Sequence, residues 1–179
     1  PTRTGMNILP ETYFKLSQIE NIVAAKEASG NFSQLAKISS LCGDNLTLYS
    51  GNDDQITSAL ALGAKGVVSV LANVVPQETH DICQSYFEGD TERSDTLQLR
   101  YLELIENLFS DINPIPVKCA MNAMGMNVGG CRLPLCAMDP VAEERLKSCL
   151  HRYGLIEDAK VGSVTVRRPQ ETLLWRKNH

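Results

Sequence analysis

The sequence lacks the features that direct a chain to a membrane or to nucleic acid. No apolar stretch approaches the ~20 residues of a membrane-spanning helix, and no charged-then-apolar leader of the secretory type is present. The formal net charge is -4, and no basic stripe occurs before the last residues. We therefore expect a cytoplasmic protein that has neither a membrane nor nucleic acid as a partner.

Motifs for metal ions are also missing. The six cysteines include no Cys-x-x-Cys pair, and the three histidines are isolated from one another in the sequence. Free and mostly buried thiols are the expected state of the cysteines, since structural zinc sites need closely spaced cysteine and histidine ligands. The sequence therefore predicts no metal site and no cofactor.

What the first half of the chain does contain is an alternation of strand and helix signals. Three apolar runs have the length of strands and are bounded by turn residues: 21–30, 46–50 and 66–71. Apolar residues at helical spacing follow each of these runs, in segments 32–41, 55–62 and 77–87. Short connections between such elements indicate βαβ units, so the predicted fold class is α/β with a parallel sheet.

The second half reads as helical. A long amphipathic helix is predicted through residues 97–108, and further helices are predicted to end at Gly125 and Gly154. Asp139 followed by Pro140 is the pattern of an N-cap and a first-turn proline, and it predicts the start of the last helix. The basic tail, residues 157–179, fits a solvated extension, a small edge strand or a docking surface for a second subunit.

One lysine stands out within the first apolar run. Counting by twos, Ile22, Ala24 and Lys26 project to one side of the predicted strand, which we expect to be buried on both faces. A lysine amine held away from water loses its proton more readily and becomes a nucleophile towards carbonyl compounds. Strand-end lysines also extend commonly into solvent, so the pattern alone leaves both interpretations open.

Six short motifs in this order resemble a known enzyme family. They are Pro-Thr-Arg-Thr-Gly at 1–5, Ala-Lys-Glu-Ala-Ser-Gly at 25–30, Ser-Gly-Asn-Asp at 50–53, Gly-Val-Val-Ser-Val at 66–70 with Ala-Asn-Val at 72–74, Asn-Pro-Ile-Pro-Val-Lys at 113–118 and Arg-Leu-Pro at 132–134. The chain resembles the C-terminal part of dihydrodipicolinate synthases, within the pyruvate-dependent class I aldolases that also include N-acetylneuraminate lyase. Segment 113–118 favours the synthase branch.

This resemblance implies a fold. Members of the family are (β/α)8 TIM barrels followed by a small α-helical domain, with the active site at the carboxyl ends of the strands. The three predicted strands would be the last three of the eight. We therefore expect residues 1–89 to form the C-terminal part of the barrel, residues 90–156 the helical domain, and residues 157–179 an unmatched tail.

The resemblance also implies a reaction. Lys26 matches the lysine that forms a Schiff base with pyruvate, before condensation with aspartate semialdehyde yields 4-hydroxy-tetrahydrodipicolinate for diaminopimelate and lysine biosynthesis. Arg3 matches a carboxylate-binding arginine, while Gly51 and Val68 match positions whose backbone lines the pyruvate pocket. Ser50 and Asp53 are weaker candidates, because both residue types are common in turns. Relatives are lyases that assemble as homodimers or homotetramers.

Two alternatives accompany this reading. The chain resembles other pyruvate-dependent aldolases, of the N-acetylneuraminate or 2-keto-3-deoxy sugar acid type, and a truncated paralogue would serve as a structural or regulatory subunit. The tyrosine and threonine of the family's proton relay would lie before Pro1, and the opening without methionine leads us to expect part of a longer protein. We expect the chain alone to be inactive.

Overall fold

The computed structural model describes residues 4–157. The chain divides into two compact units, with the boundary between Glu106 and Asn107. The first unit contains all the strands of the described chain together with most of its helices. In chain order its elements are α1 (Pro10–Leu16), β1 (Ala24–Glu27), α2 (Phe32–Cys42), β2 (Thr47–Ser50), α3 (Ile56–Ala61), α4 (Pro76–Phe87), α5 (Thr91–Arg100) and α6 (Leu102–Leu108), the last of which reaches the boundary.

The centre of the first unit is a parallel strand pair, as the βαβ pattern predicted. β1 pairs with β2 in a register that sets Lys26 opposite Tyr49 and Glu27 opposite Ser50. Helix α2 connects the two strands, because parallel neighbours need a crossover instead of a tight hairpin. The Gly51 amide donates to the Glu27 carbonyl at 2.7 Å, which extends the pairing one residue past the end of β2.

The third predicted strand, over residues 66–71, is shorter than expected. Only Val67 pairs with β2, through a parallel bridge to Ser50, and the chain turns into a short 3-10 helix at Leu71–Asn73. The physical reason lies in Asp53. Its Oδ2 accepts hydrogen bonds from the amides of Val70 and Leu71, both at 2.9 Å, so these amides are bonded to a side chain and not to a strand.

Helix packing explains which side of the sheet is buried. The core cluster of the first unit draws its buried apolar side chains from α1, α2, the β2 region, α3 and α4: Tyr13, Leu35, Ile38, Cys42, Leu46, Leu48, Ile56, Ala59, Leu60, Ala64 and Ile82. Leu35 and Ile38 lie three positions apart on α2, as the helical spacing predicted. Ala25 of β1 packs against this cluster, so one face of β1 is turned towards the core.

The expectation that β1 is buried on both faces is wrong for the described chain. Val23, Ala24 and Lys26 are exposed, and Glu27 is the only buried residue of the strand. Within residues 4–157, β2 is the one strand that pairs with β1, and the helices cover only the face that carries Ala25. An apolar run predicts a strand, but the elements around the strand decide whether it is covered.

The predicted long helix through residues 97–108 is divided in two. Helix α5 ends at Arg100 and α6 begins at Leu102, because the backbone at Tyr101 has φ -93° and ψ 2° and leaves the helical region. None of the helices within residues 4–157 combines the length and the apolar character needed to cross a membrane. The boundary predicted after residue 89 stays a prediction.

The second unit, considered over residues 107–157, contains two helices. They are α7 (Ile115–Ala123) and α8 (Pro140–Arg152). The predicted cap of α8 is confirmed, since Asp139 Oδ1 accepts hydrogen bonds from the amides of Val141 and Ala142 at 3.0 and 3.1 Å. Gly125 and Gly154 follow α7 and α8 with φ of 82° and 69°, a conformation that suits glycine at a helix end.

A pair of leucines in the second unit tests its packing. Leu146 on α8 has no exposed surface, whereas Leu133 is 89% exposed. We expect Leu146→Ala to lower the free energy of unfolding by about 2–5 kcal/mol, since it removes buried contacts and leaves a cavity. The matched Leu133→Ala change should alter it by less than about 0.5 kcal/mol. Denaturant unfolding of both variants checks this, and equal effects would contradict the packing.

Candidate active site

Three of the four candidate residues meet at one edge of the sheet. The carboxyl ends of β1 and β2 lie side by side, and Val67 adds a third segment beside Ser50. Lys26 is the penultimate residue of β1, while Gly51 and Val68 each follow directly after their paired residues. Arg3, the fourth candidate, lies outside the described residues.

Lys26 and Gly51 are in close contact. A Cβ atom built on Gly51 would lie 2.7 Å from Lys26 Cε and 3.1 Å from Lys26 Cγ, and 2.5 Å from the Cβ of Ala28. Distances below 3 Å are closer than carbon atoms pack, since optimal separations are about 3.5–4.0 Å. The lysine side chain therefore runs over the surface of Gly51, where a larger residue would have no room.

Lys26 is exposed to solvent, contrary to the expectation of a dry amine. The described residues set the direction of its side chain but do not shield it from water. Val68 is exposed as well, at 47%, so it is not a core residue of the described chain. Its amide donates to the Ser50 carbonyl at 2.8 Å, which fixes the backbone of Val68 beside the end of β2.

Ser50 and Asp53 organise the turn that follows β2. The Ser50 hydroxyl donates to the Asn52 carbonyl at 3.0 Å and accepts from the Asn52 amide at 3.1 Å, which agrees with its interpretation as a turn residue. Asp53 does more than form a turn, because its carboxylate fixes the two amides of Val70 and Leu71. Gln98 of α5 fixes the same turn by donating to the Asp53 carbonyl at 2.8 Å.

The environment of the Asp53 carboxyl is unfavourable to its charge. Its side chain is 1% exposed, and within the described part of the chain its Oδ1 has no hydrogen-bond partner. Burial raises the pKa of Asp53 above its ordinary 3.8, and hydrogen bonds from Ser69, Leu71 and Val70 oppose this shift. The turn thus depends on a carboxylate that is expensive to bury.

A buried carboxylate network that sequence reasoning missed lies behind Lys26. Glu27, the next residue, is 6% exposed and accepts hydrogen bonds from the hydroxyl of Tyr13, the amide of Ser29 and the side chain of Gln34. Burial and the Glu27 carboxylate raise the pKa of Tyr13 to about 12. The sequence does offer one signal, which is the adjacent charged pair Lys26 and Glu27. Because adjacent residues of a strand project to opposite faces, one of the two charges has to face the core side.

Side chains that could serve as metal ligands are spread over the described chain. Among residues 4–157, no three histidine, cysteine, aspartate or glutamate side chains lie together in a way that would hold a metal ion. None of the six cysteines forms a disulfide bond, and only Cys42 and Cys149 are buried, so fewer of the thiols are buried than expected. The chemical groups at the strand edge are an amine, backbone amides and carbonyls.

A parallel strand pair joined by a helix, with a lysine at its carboxyl edge, defines an α/β fold with a nucleophile candidate, and the similar solved structures imply the TIM-barrel type. Solved structures agree with this class. The chain superposes with a TM-score of 0.83 on dihydrodipicolinate synthase from Aquifex aeolicus, at 40% identity over 87% of this chain and 53% of that one. It superposes equally on the chloride-inhibited enzyme from Acinetobacter baumannii complexed with pyruvate, at 33% identity over 87% of this chain and 54% of that one.

The chain belongs to the dihydrodipicolinate synthetase family, whose family model matches residues 1–153. Among its relatives is 4-hydroxy-tetrahydrodipicolinate synthase 1 of Clostridium acetobutylicum, which is 55% identical over 157 residues. That match covers 88% of this chain and 54% of the relative. The chain thus spans about half the length of the relatives it matches.

The raised pKa of Asp53 yields a prediction about pH. Because the folded protein holds this proton more tightly than the unfolded chain, the carboxyl stabilises the fold below its unfolded pKa of 3.8, and this contribution is lost as pH rises through the folded pKa. The unfolding free energy of the parent, minus that of Asp53→Asn, should therefore fall as the pH rises above the unfolded pKa of 3.8, by about 1.4 kcal/mol per unit of pKa difference. Denaturant unfolding across this range measures it, and a difference that is flat or rises with pH would contradict the buried, unpaired state of Oδ1.

Proposed function

We propose that the protein carrying this chain is a lyase that condenses pyruvate with aspartate semialdehyde to give 4-hydroxy-tetrahydrodipicolinate, a step of diaminopimelate and lysine biosynthesis. The observation that carries the proposal is the path of Lys26 over Gly51 at the carboxyl edge of the strands. Relatives that are 55% and 56% identical to this chain are named 4-hydroxy-tetrahydrodipicolinate synthase, which favours the synthase reaction over that of the sugar-acid aldolases.

The chemistry assigned to Lys26 is covalent catalysis. The lone pair of its neutral Nζ attacks the ketone carbon of pyruvate, and loss of water leaves a C=N bond to the lysine. The cationic imine draws electrons from the neighbouring methyl group, so that loss of a proton gives an enamine. The enamine carbon then forms a bond to the aldehyde carbon of aspartate semialdehyde, whose oxygen takes a proton and becomes a hydroxyl. The amino group of the same substrate attacks the imine carbon, which closes the ring and breaks the C–N bond to Lys26, so that the free amine is restored.

Three other residues take part in substrate binding in this proposal. The fixed planar fork of Arg3 suits a carboxylate better than a lysine would. Gly51 supplies backbone at a point where any side chain would displace Lys26, and the Val68 backbone is held at the same edge by its hydrogen bond to Ser50.

We further propose that the chain is the C-terminal part of a barrel, with residues 1–89 in the barrel, 90–156 in a helical domain and 157–179 as a tail. Two observations support this. The chain matches about half of its relatives' length, and within residues 4–157 β1 is paired on one side only, with the adjacent Val23 side chain 67% exposed. An exposed strand edge of this kind offers unpaired backbone groups with which a further strand can pair. We expect the complete protein to be a cytoplasmic homodimer or homotetramer, as the family resemblance implies.

Trapping the imine tests this function. When the complete protein is incubated with pyruvate and reduced with borohydride, we expect one pyruvate-derived adduct, and peptide mapping should find it on Lys26. Lys26→Ala should give none, because no other amine replaces the strand-end lysine. The matched control Lys15→Ala removes an exposed lysine of α1 and should give the parent adduct. An adduct elsewhere, or none, would overturn the proposal.

Gly51→Ala tests the close contact with Lys26. The added methyl group would lie 2.7 Å from Lys26 Cε and must displace that side chain, so we expect imine formation to slow by about 100-fold, the loss typical of a misplacement near 1 Å. Gly130→Ala is the matched control, because a Cβ at Gly130 meets nothing within 4 Å. Time courses of borohydride trapping measure both rates, and a Gly51→Ala protein as fast as the control would contradict the assigned path of Lys26.

A further inference from the structure

Glu27 is held from three directions at the carboxyl end of β1. Its Oε1 accepts from the Ser29 amide at 2.8 Å and from Gln34 Nε2 at 3.3 Å. Its Oε2 accepts from the Tyr13 hydroxyl at 3.2 Å and from Gln34 Nε2 at 3.4 Å. The carboxylate therefore joins α1, the loop after β1 and α2 at one buried point.

The donors themselves are fixed. Gln34 Nε2 also donates to Asn7 Oδ1 at 3.1 Å and to the Ile8 carbonyl at 3.3 Å, while its Oε1 accepts from Asn7 Nδ2 at 2.6 Å. The Tyr13 hydroxyl keeps its proton across the neutral range, because its pKa is raised to about 12. Glu27 is thus bound by donors that are already held in place by other contacts.

All of these donors are uncharged. Within residues 4–157, Glu27 takes part in no salt bridge, although it is 6% exposed. A buried carboxylate without a cation is costly, and a fold has easier ways to fill such a position with an apolar side chain. Packing alone therefore does not explain a buried carboxylate at position 27, and we look for the explanation in the adjacent Lys26.

We propose that Glu27 is a positioning residue that fixes the direction in which Lys26 projects; this role rests on the Schiff-base function proposed above. Because consecutive residues of a strand point to opposite faces, holding the Glu27 side chain against α1 and α2 fixes the rotation of β1 about its own axis. Lys26 is turned to the other face by the same constraint.

The path of Lys26 leaves little tolerance for rotation. Its Cε runs over Gly51, and the Gly51 amide donates to the Glu27 carbonyl at 2.7 Å. Gly51 is therefore hydrogen-bonded to the backbone of Glu27 and is also the residue over which the Lys26 side chain runs. A twist of β1 would carry Nζ away from the position that it reaches along Gly51, and reactions between held groups lose rate steeply with such displacement.

A carboxylate suits this task better than an amide. Both of its oxygens accept, so it satisfies the Ser29, Tyr13 and Gln34 donors together. A glutamine at position 27 would keep one accepting oxygen and turn an NH2 group towards donors. An alanine would remove every acceptor and leave these donors without their partner, so the two substitutions form a graded series.

The test measures the rate constant and the amplitude of imine formation separately in the complete protein. Each variant is mixed with saturating pyruvate, quenched with borohydride at successive times and analysed by intact mass. We expect Glu27→Gln to lower the rate constant about 10-fold and Glu27→Ala about 100-fold, through misplacement of Nζ. The trapped fraction at long times and the half-saturating pyruvate concentration should stay near those of the parent. Glu20→Gln removes an exposed carboxylate before β1 and should match the parent.

The readouts separate positioning from stability. If Glu27 served only to stabilise the fold, folded molecules would react at the parent rate and the trapped fraction alone would fall, which would overturn the proposal. Should Glu27→Ala fail to fold, Glu27→Gln gives the same two readouts. If the parent itself forms no adduct on Lys26, the proposed function fails and this role fails with it. If the parent forms the adduct and Glu27→Gln forms it with the same rate constant, only the positioning role of Glu27 is overturned.

Discussion

The parallel pairing of β1 with β2 is the constraint on which the rest of this structure depends. Because the two strands run in the same direction, their carboxyl ends meet at one edge, and Gly51 follows β2 directly beside Glu27 of β1. This register brings the Lys26 side chain over a residue that has no side chain of its own. If β2 shifted by one residue relative to β1, Tyr49 and Ser50 would each turn to the opposite face, and the contact between Lys26 and Gly51 would be lost.

Sequence reasoning was correct where the signal is local. Alternating apolar runs and helical spacing predicted the α/β class and the α2 crossover, and Asp139 with Pro140 marked the start of α8, where the carboxylate accepts two backbone amides. These features depend on contacts between residues a few positions apart. Motif order predicted the family, which a family model over residues 1–153 confirms, whereas the role of Lys26 as a nucleophile stays a prediction.

The errors arose where distant residues decide the outcome. The third strand ends early because Asp53 captures the amides of Val70 and Leu71, which lie 17 and 18 positions away along the chain. Glu27 was passed over because its partners Tyr13 and Gln34 belong to separate helices, and only the fold brings them to one carboxylate. Exposure of β1 was also misjudged, since an apolar run carries no information about which of its faces is covered.

A lysine nucleophile needs two separate conditions, a fixed direction and protection from water, and the described chain supplies only the first. Lys26 is aimed by the neighbouring Gly51 and, in our proposal, by Glu27, yet its side chain is exposed. The two conditions have different physical origins. Direction follows from backbone register and a few short contacts within one βαβ unit, whereas removal of water requires surfaces on every side of the amine. A chain that spans about half of its relatives' length can therefore fix the direction of a lysine side chain, while the proposed reaction of that lysine would depend on the rest of the protein for its environment.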